Sequence, residues 1–126
     1  ADELDDSAVT RVIFCSGKVY FKLHEARQQK YDNTTAIIRL EQLYPYPHEE
    51  IDEQLSKYPN LQKVIWCQDE PRNQGTWWYI KTLLIDSCKG VPVGYAGRQS
   101  SASPAAGYMG LHLEQEHKLV TDAFEM

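Results

Sequence analysis

An apolar run that breaks into a polar segment and resumes as an aromatic one limits this chain more than any other stretch: Val64-Ile65-Trp66-Cys67, then Gln68-Asp69-Glu70-Pro71-Arg72-Asn73-Gln74-Gly75, then Thr76-Trp77-Trp78-Tyr79. Four apolar residues are too few for a buried helix and enough for a central strand. A buried strand that delivers polar groups at its carboxyl end belongs to an open α/β sheet, and such sheets carry their sites outside that end. Gln68 to Gln74 fall there.

The rest of the chain fits the same scheme. Thr10 to Cys15 is a β-rich run, followed at once by Ser16-Gly17-Lys18 and by Val19, Leu23 and Ala26 at helical spacing, which predicts strand, tight turn and helix. Thr34 to Leu40 is rich in β-branched residues, with Arg39 marking the strand's end. Pro45 and Pro47 stop regular structure around Tyr46, and His48 to Leu55 reads as an amphipathic helix with acids in its first turn, the end where the helix dipole is positive. That helix ends by Tyr58-Pro59, because a residue before proline is pushed out of the helical region. Leu61 to Cys67 supplies the third strand. Thr76 to Ile85 is long enough for nearly three helical turns, with Ile80, Leu83 and Leu84 on one face. Val91 to Ala96 is a fourth strand, with Pro92 in its first residues, and Leu111 to Phe124 a final helix. Strands alternating with helices imply right-handed crossovers and a mostly parallel sheet between helical layers, a three-layer α/β/α sandwich.

A chain of 126 residues is the size of one domain, too short for a core plus a separate cofactor domain. The expected division is an acidic linker over residues 1–8, with Asp2, Glu3, Asp5 and Asp6, ahead of a domain over 9–126 that is a fragment of a larger enzyme. A net charge of -5 without a Lys/Arg cluster argues against a nucleic-acid partner, which needs a basic face to displace counterions. No apolar run approaches the roughly 20 residues of a membrane span. The odd count of three cysteines, two inside apolar runs, favours buried reduced thiols in a cytoplasmic compartment over a disulfide framework.

Two places could carry chemistry or binding. Ser16-Gly17-Lys18 lies where a strand turns into a helix, and unpaired N–H groups there make a possible anion site; the competing reading is a tight turn with Ser16 capping the helix. It lacks the glycine spacing of a phosphate-binding P-loop. Asp69-Glu70 with Arg72, Asn73 and Gln74 could be an acid/base pair or a binding loop, but neighbours on a strand end point to opposite sides, so a shared-proton dyad does not form; inter-domain salt bridging or helix capping is the alternative. His112 and His117 are five apart and so do not share a helix face, and Ser100, Ser101 and Ser103 lack a Gly-x-Ser-x-Gly elbow, so the expected catalytic and metal-binding sets are empty. Tyr44, Tyr46 and Tyr108 lie in Pro/Gly-rich segments, where loop aromatics serve contact surfaces or cover sheet ends.

Four segments together carry a resemblance: Phe14-Cys15-Ser16-Gly17-Lys18-Val19-Tyr20; Arg39-Leu40-Glu41-Gln42-Leu43-Tyr44-Pro45-Tyr46-Pro47; Trp66 to Gly75; and Tyr95-Ala96-Gly97-Arg98 with Ser103-Pro104-Ala105-Ala106-Gly107-Tyr108. In this order they closely resemble the C-terminal domain of the first, thiamine-dependent, decarboxylating component of the 2-oxoglutarate dehydrogenase complex, over about Arg11 to Phe124. The resemblance implies a transketolase C-terminal-domain-like sandwich with a mixed, mainly parallel sheet of five strands. It implies a homodimeric enzyme of the citric acid cycle that uses thiamine diphosphate and magnesium to decarboxylate 2-oxoglutarate and passes the succinyl group to the dihydrolipoyl succinyltransferase component. It places the enzyme in the cytoplasm, or in the mitochondrial matrix of a eukaryote. The family's thiamine-binding motif and catalytic histidines are absent from this chain, so the domain alone is expected to be inactive and to hold neither cofactor. The role left to it is structural: closing the dimer, with Glu41, Gln42, Asp69, Glu70, Asn73, Gln74 and Arg98 as inter-domain or subunit contacts. The alternative is an effector-binding or partner-docking module of a related 2-oxo acid dehydrogenase, for example one acting on 2-oxoadipate.

Overall fold

The structure, a computed structural model, describes residues 4–71, 76–98 and 109–125. A 3-10 turn, Asp6–Ala8, leads into β1 (Arg11–Cys15), α1 (Val19–Gln29), β2 (Thr35–Arg39), α2 (His48–Ser56), β3 (Lys63–Pro71), α3 (Trp77–Ser87), β4 (Val93–Arg98) and α4 (Met109–Glu125). Among the described residues the sheet has four strands in the order β2-β1-β3-β4, all parallel. The fifth strand that the resemblance implies is not among them.

Two apolar clusters separate the layers, and strand alternation explains the separation. Val12, Phe14, Val64 and Trp66 face α2 and α3, where Ile51, Trp77, Ile80 and Leu84 are buried. Ile13, Cys15, Ile65, Cys67 and Ala96 face α1 and α4, packing on Val19, Leu23, Leu119, Ala123 and Phe124. Helices therefore cover both faces, and β1 and β3 are buried on both sides. That is why their sequences read as continuous apolar runs rather than as alternation.

The leader is partly tied down. Leu4 packs against the first cluster, and the Asn60 side-chain amide donates to the Ser7 carbonyl at 2.7 Å.

Three element ends depart from expectation. β3 continues four residues past Cys67, so Gln68, Asp69 and Glu70 are strand rather than loop: Gln68 pairs with Gly97 and, beyond a bulge, Pro71 pairs with Arg98. β4 begins at Val93 instead of Val91, because Lys89 (φ 50°) and Gly90 (φ 99°) turn the chain and the Pro92 carbonyl accepts from Val64 N–H before pairing starts. Ser16 does not cap α1. Lys18 is the capping position and offers no side-chain bond, while Gly17, at φ 75°, takes the left-handed conformation the turn needs.

Candidate inter-domain contact site

A parallel sheet puts the carboxyl ends of all its strands on one edge, so segments distant in sequence meet there. β1 ends into Ser16-Gly17-Lys18, β2 into Glu41 and Gln42, β3 at Asp69-Glu70-Pro71 and β4 at Arg98. The chain leaves β1 toward β2 on one side and leaves β3 toward β4 on the other, which makes the β1/β3 junction the point where strand order reverses. Cys15 and Cys67 are register partners at that junction. Ser16-Gly17-Lys18 and Gln68 to Pro71 therefore flank the crevice that open sheets use for binding.

Glu41, Gln42, Asp69 and Glu70 are exposed, as are Gly17 and Lys18, with Ser16 half-buried. Arg98 ends β4 on the same edge. Asn73 and Gln74 lie outside the described residues, as do Arg72 and Tyr108. Two amides at the start of α1 are engaged within the chain, Tyr20 N–H with the Gly17 carbonyl (3.3 Å) and Phe21 N–H with that of Lys18 (3.1 Å).

What organises the edge is Gln68, a residue that sequence patterning does not single out. It is 1% exposed; its Oε1 accepts from Trp66 Nε1 (2.9 Å) and from Trp77 N–H (3.2 Å), and its Nε2 donates to the Glu70 carbonyl (3.2 Å). One amide thus ties a core indole, the first turn of α3 and the strand that presents Asp69 and Glu70. Tyr95 supports the same segment: its ring lies 5.2 Å from that of Trp77, and its hydroxyl donates to the Glu70 carbonyl at 3.5 Å. The one hint in the sequence is an amide side chain closing an apolar run two residues after Trp66, whose indole N–H needs an acceptor once buried.

The rim around this edge is aromatic. Among the described residues six large hydrophobic side chains are exposed, and four of them, Phe21 (58%), Tyr44 (60%), Trp78 (68%) and Tyr79 (39%), sit in the first turn of α1, the segment after β2 and the first turn of α3. Tyr44 stacks on Tyr79 with ring centroids 4.4 Å apart, and the Tyr79 hydroxyl accepts from Tyr46 N–H. The Arg39 guanidinium lies 5.3 Å from the Phe21 ring centre. Tyr46, expected either on a contact surface or covering a sheet end, is buried, with its hydroxyl 3.0 Å from Ser87 Oγ. His48 packs edge-on against its ring.

Neither cysteine at the end of β1 or within β3 is a ready nucleophile. Burial pushes the Cys15 thiol up to about 12, only partly opposed by Arg39, and raises Cys67 further, with Cys15, Asp69 and Asp122 adding in the same direction. Such thiols stay protonated at neutral pH. Among the described residues no three of His, Cys, Asp and Glu come together to hold a metal, and no helix is long and apolar enough to cross a membrane.

The family model described as "2-oxoglutarate dehydrogenase C-terminal" matches residues 1–124. The 2-oxoglutarate dehydrogenase E1 component of Cupriavidus necator is 50% identical over 124 residues, which is 98% of this chain and 13% of that protein. The E1 component of Haemophilus influenzae is 49% identical over 123 residues, 97% of this chain and again 13% of that protein. The chain thus spans about 13% of the length of these relatives. Among solved structures a split-gene transketolase, described as an inactive beta4 tetramer, superposes with a TM-score of 0.66 over 90% of this chain and 38% of that one; at 15% identity it speaks for the fold, a transketolase-like α/β sandwich. On the match along nearly its whole length, the chain belongs to the 2-oxoglutarate dehydrogenase C-terminal family.

Proposed function

We propose that this chain is the C-terminal assembly domain, over residues 9–126, of a 2-oxoglutarate dehydrogenase E1 component whose full-length homodimer decarboxylates 2-oxoglutarate oxidatively in the citric acid cycle. The succinyl group would pass to the dihydrolipoyl succinyltransferase component, in the cytoplasm or, in a eukaryote, in the mitochondrial matrix. The observation that carries the reading is the rim: exposed Phe21, Tyr44, Trp78 and Tyr79 surround a carboxyl edge bearing Glu41, Gln42, Asp69 and Glu70. Aromatic anchors within a polar border are the composition of a protein contact surface. Asn73, Gln74 and Arg98 complete the proposed contact set.

Thiamine diphosphate with magnesium would supply the electron sink for decarboxylation when bound to the full enzyme. Among the described residues no three of His, Cys, Asp and Glu converge on a metal, and on this reading the cofactor belongs to the remainder of the polypeptide. What this chain contributes is position: Gln68 holds the Glu70 segment and the α3 amino end in fixed relation, so the contact surface is formed before docking. Calorimetric titration of thiamine diphosphate and magnesium into residues 1–126 gives no binding heat on this reading; measurable binding contradicts it.

A second reading rests on the switch-point position of Ser16-Gly17-Lys18, which would hold a phosphate-bearing effector. A nucleotide or acetyl-coenzyme A that raises the melting temperature, and fails to in Lys18→Ala, would favour it.

A further inference from the structure

α3 is apolar on two faces. Trp77, Ile80 and Leu84 are buried in the first core cluster, while Trp78, Tyr79 and Ile85 (46%) are exposed away from it. Single exposed hydrophobic residues need no explanation. A surface helix, however, ordinarily turns a polar face outward, and a helix that is apolar all round is one that is covered all round. Trp78 and Ile85 stand seven residues apart and so share one helix face, with Lys81 and Thr82 between them. Tyr44, stacked on Tyr79, carries the apolar surface on past the start of the helix.

α2 is the neighbour of α3 on this side of the sheet. Its Glu49, Glu50, Asp52 and Glu53 are exposed, and the helix contains no Lys or Arg. None of the four acids is ion-paired among the described residues. An apolar seam beside a row of unneutralised acids fits an amphipathic helix whose apolar side meets Trp78 and Ile85 and whose flank carries Lys or Arg. A second copy docking through the same face would set its own α2 acids against these. The polypeptide leading into Leu4 reaches the domain on this side: Leu4 packs against the cluster that α2 and α3 cover, and it lines a groove with Lys57 and Tyr58, the residues that follow α2.

We infer that the outward face of α3, with the acids of α2 beside it, is a docking surface for a basic amphipathic helix from the polypeptide that precedes Ala1 in the full-length protein. The inference rests on the reading of this chain as a C-terminal piece, its length being 13% of that of its relative in Cupriavidus necator. It adds to the carboxyl edge a second contact surface, which runs from the aromatic rim along α3 to Ile85.

Thiol labelling of the full-length enzyme tests this with Ile85→Cys and, one turn earlier on the same helix, Thr82→Cys. Cys15, Cys67 and Cys88 are buried, and peptide mapping by mass spectrometry separates the introduced thiol from every other one. The expected result is labelling at least about ten-fold slower in the native enzyme than at the same residue in urea. Adding Glu49→Lys with Glu53→Lys should raise the native rate at least about five-fold, with far-UV circular dichroism confirming that each variant stays folded. A short thiol-to-amine cross-linker on Ile85→Cys should capture a lysine upstream of Ala1 besides the helix's own neighbours Lys81 and Lys89. Native labelling at the unfolded rate overturns the inference and, where sedimentation still shows the dimer, leaves the assembly reading intact. Protection that the charge reversals do not change, or cross-links that reach only residues 1–126, also overturn it. A gene with no coding sequence upstream of Ala1 defeats the C-terminal reading itself, and the inference with it.

Discussion

At the scale of single residues, Gln68 is the most consequential side chain at the carboxyl edge. Replacing it by leucine leaves the Trp66 indole N–H and the Trp77 amide buried without an acceptor, for a loss of about 3 kcal/mol in urea unfolding. The thiols set a pH dependence. Burial raises Cys15 to about 12 and Cys88 to about 11 in the folded chain, against an ordinary 9.0 when unfolded. The folded state therefore keeps these protons where the unfolded state has lost them. The contribution to stability is complete below pH 9 and is lost as pH rises from 9 toward 11 and 12, at up to about 1.4 kcal/mol per pH unit for each thiol. Unfolding free energies measured between pH 8 and 10.5 should fall in the upper half of that range, less steeply in Cys15→Ala.

Among the elements, the junction of β3 with β4 decides how the edge is presented. Gly97 lies where a side chain cannot: a Cβ there would sit 2.8 Å from the Gln68 carbonyl and against the Tyr95 ring, which crosses this position to reach Glu70. Gly97→Ala should cost about 2 kcal/mol in thermal or urea unfolding, with Tyr95 displaced from Trp77 and its fluorescence environment changed. The element order and both helical layers were legible in the sequence, because β-branched runs and helical spacing are local signals. The length of β3 was not. Gln68, Asp69 and Glu70 read as loop from polarity alone, and they are strand because Gly97 and Arg98, some thirty residues away, supply partners. For the same reason Tyr46 reads as a surface aromatic between two prolines, whereas Ser87 and the first core cluster take it in. That Glu41, Gln42, Asp69 and Glu70 share one edge was legible, because a parallel sheet gathers its strand ends; the aromatic rim of Phe21, Trp78 and Tyr79 was not, since which face of a helix's first turn is covered depends on the sheet beneath.

On the scale of the whole molecule, a sheet with both faces covered leaves Phe21, Tyr44, Trp78 and Tyr79 exposed around a carboxyl edge that bears Glu41, Asp69 and Glu70. On the proposed reading this edge is where the domain joins more protein. That the carboxyl edge serves assembly and carries no chemistry of its own is tested most directly in the full-length enzyme carrying Glu70→Lys with Trp78→Glu. Sedimentation velocity of that variant should show dissociated or weakened dimers, with activity recovering in proportion to the dimer as protein concentration rises. An intact dimer with undiminished thiamine diphosphate binding and lost turnover would contradict the assembly role and place Glu70 or Trp78 in the catalytic machinery.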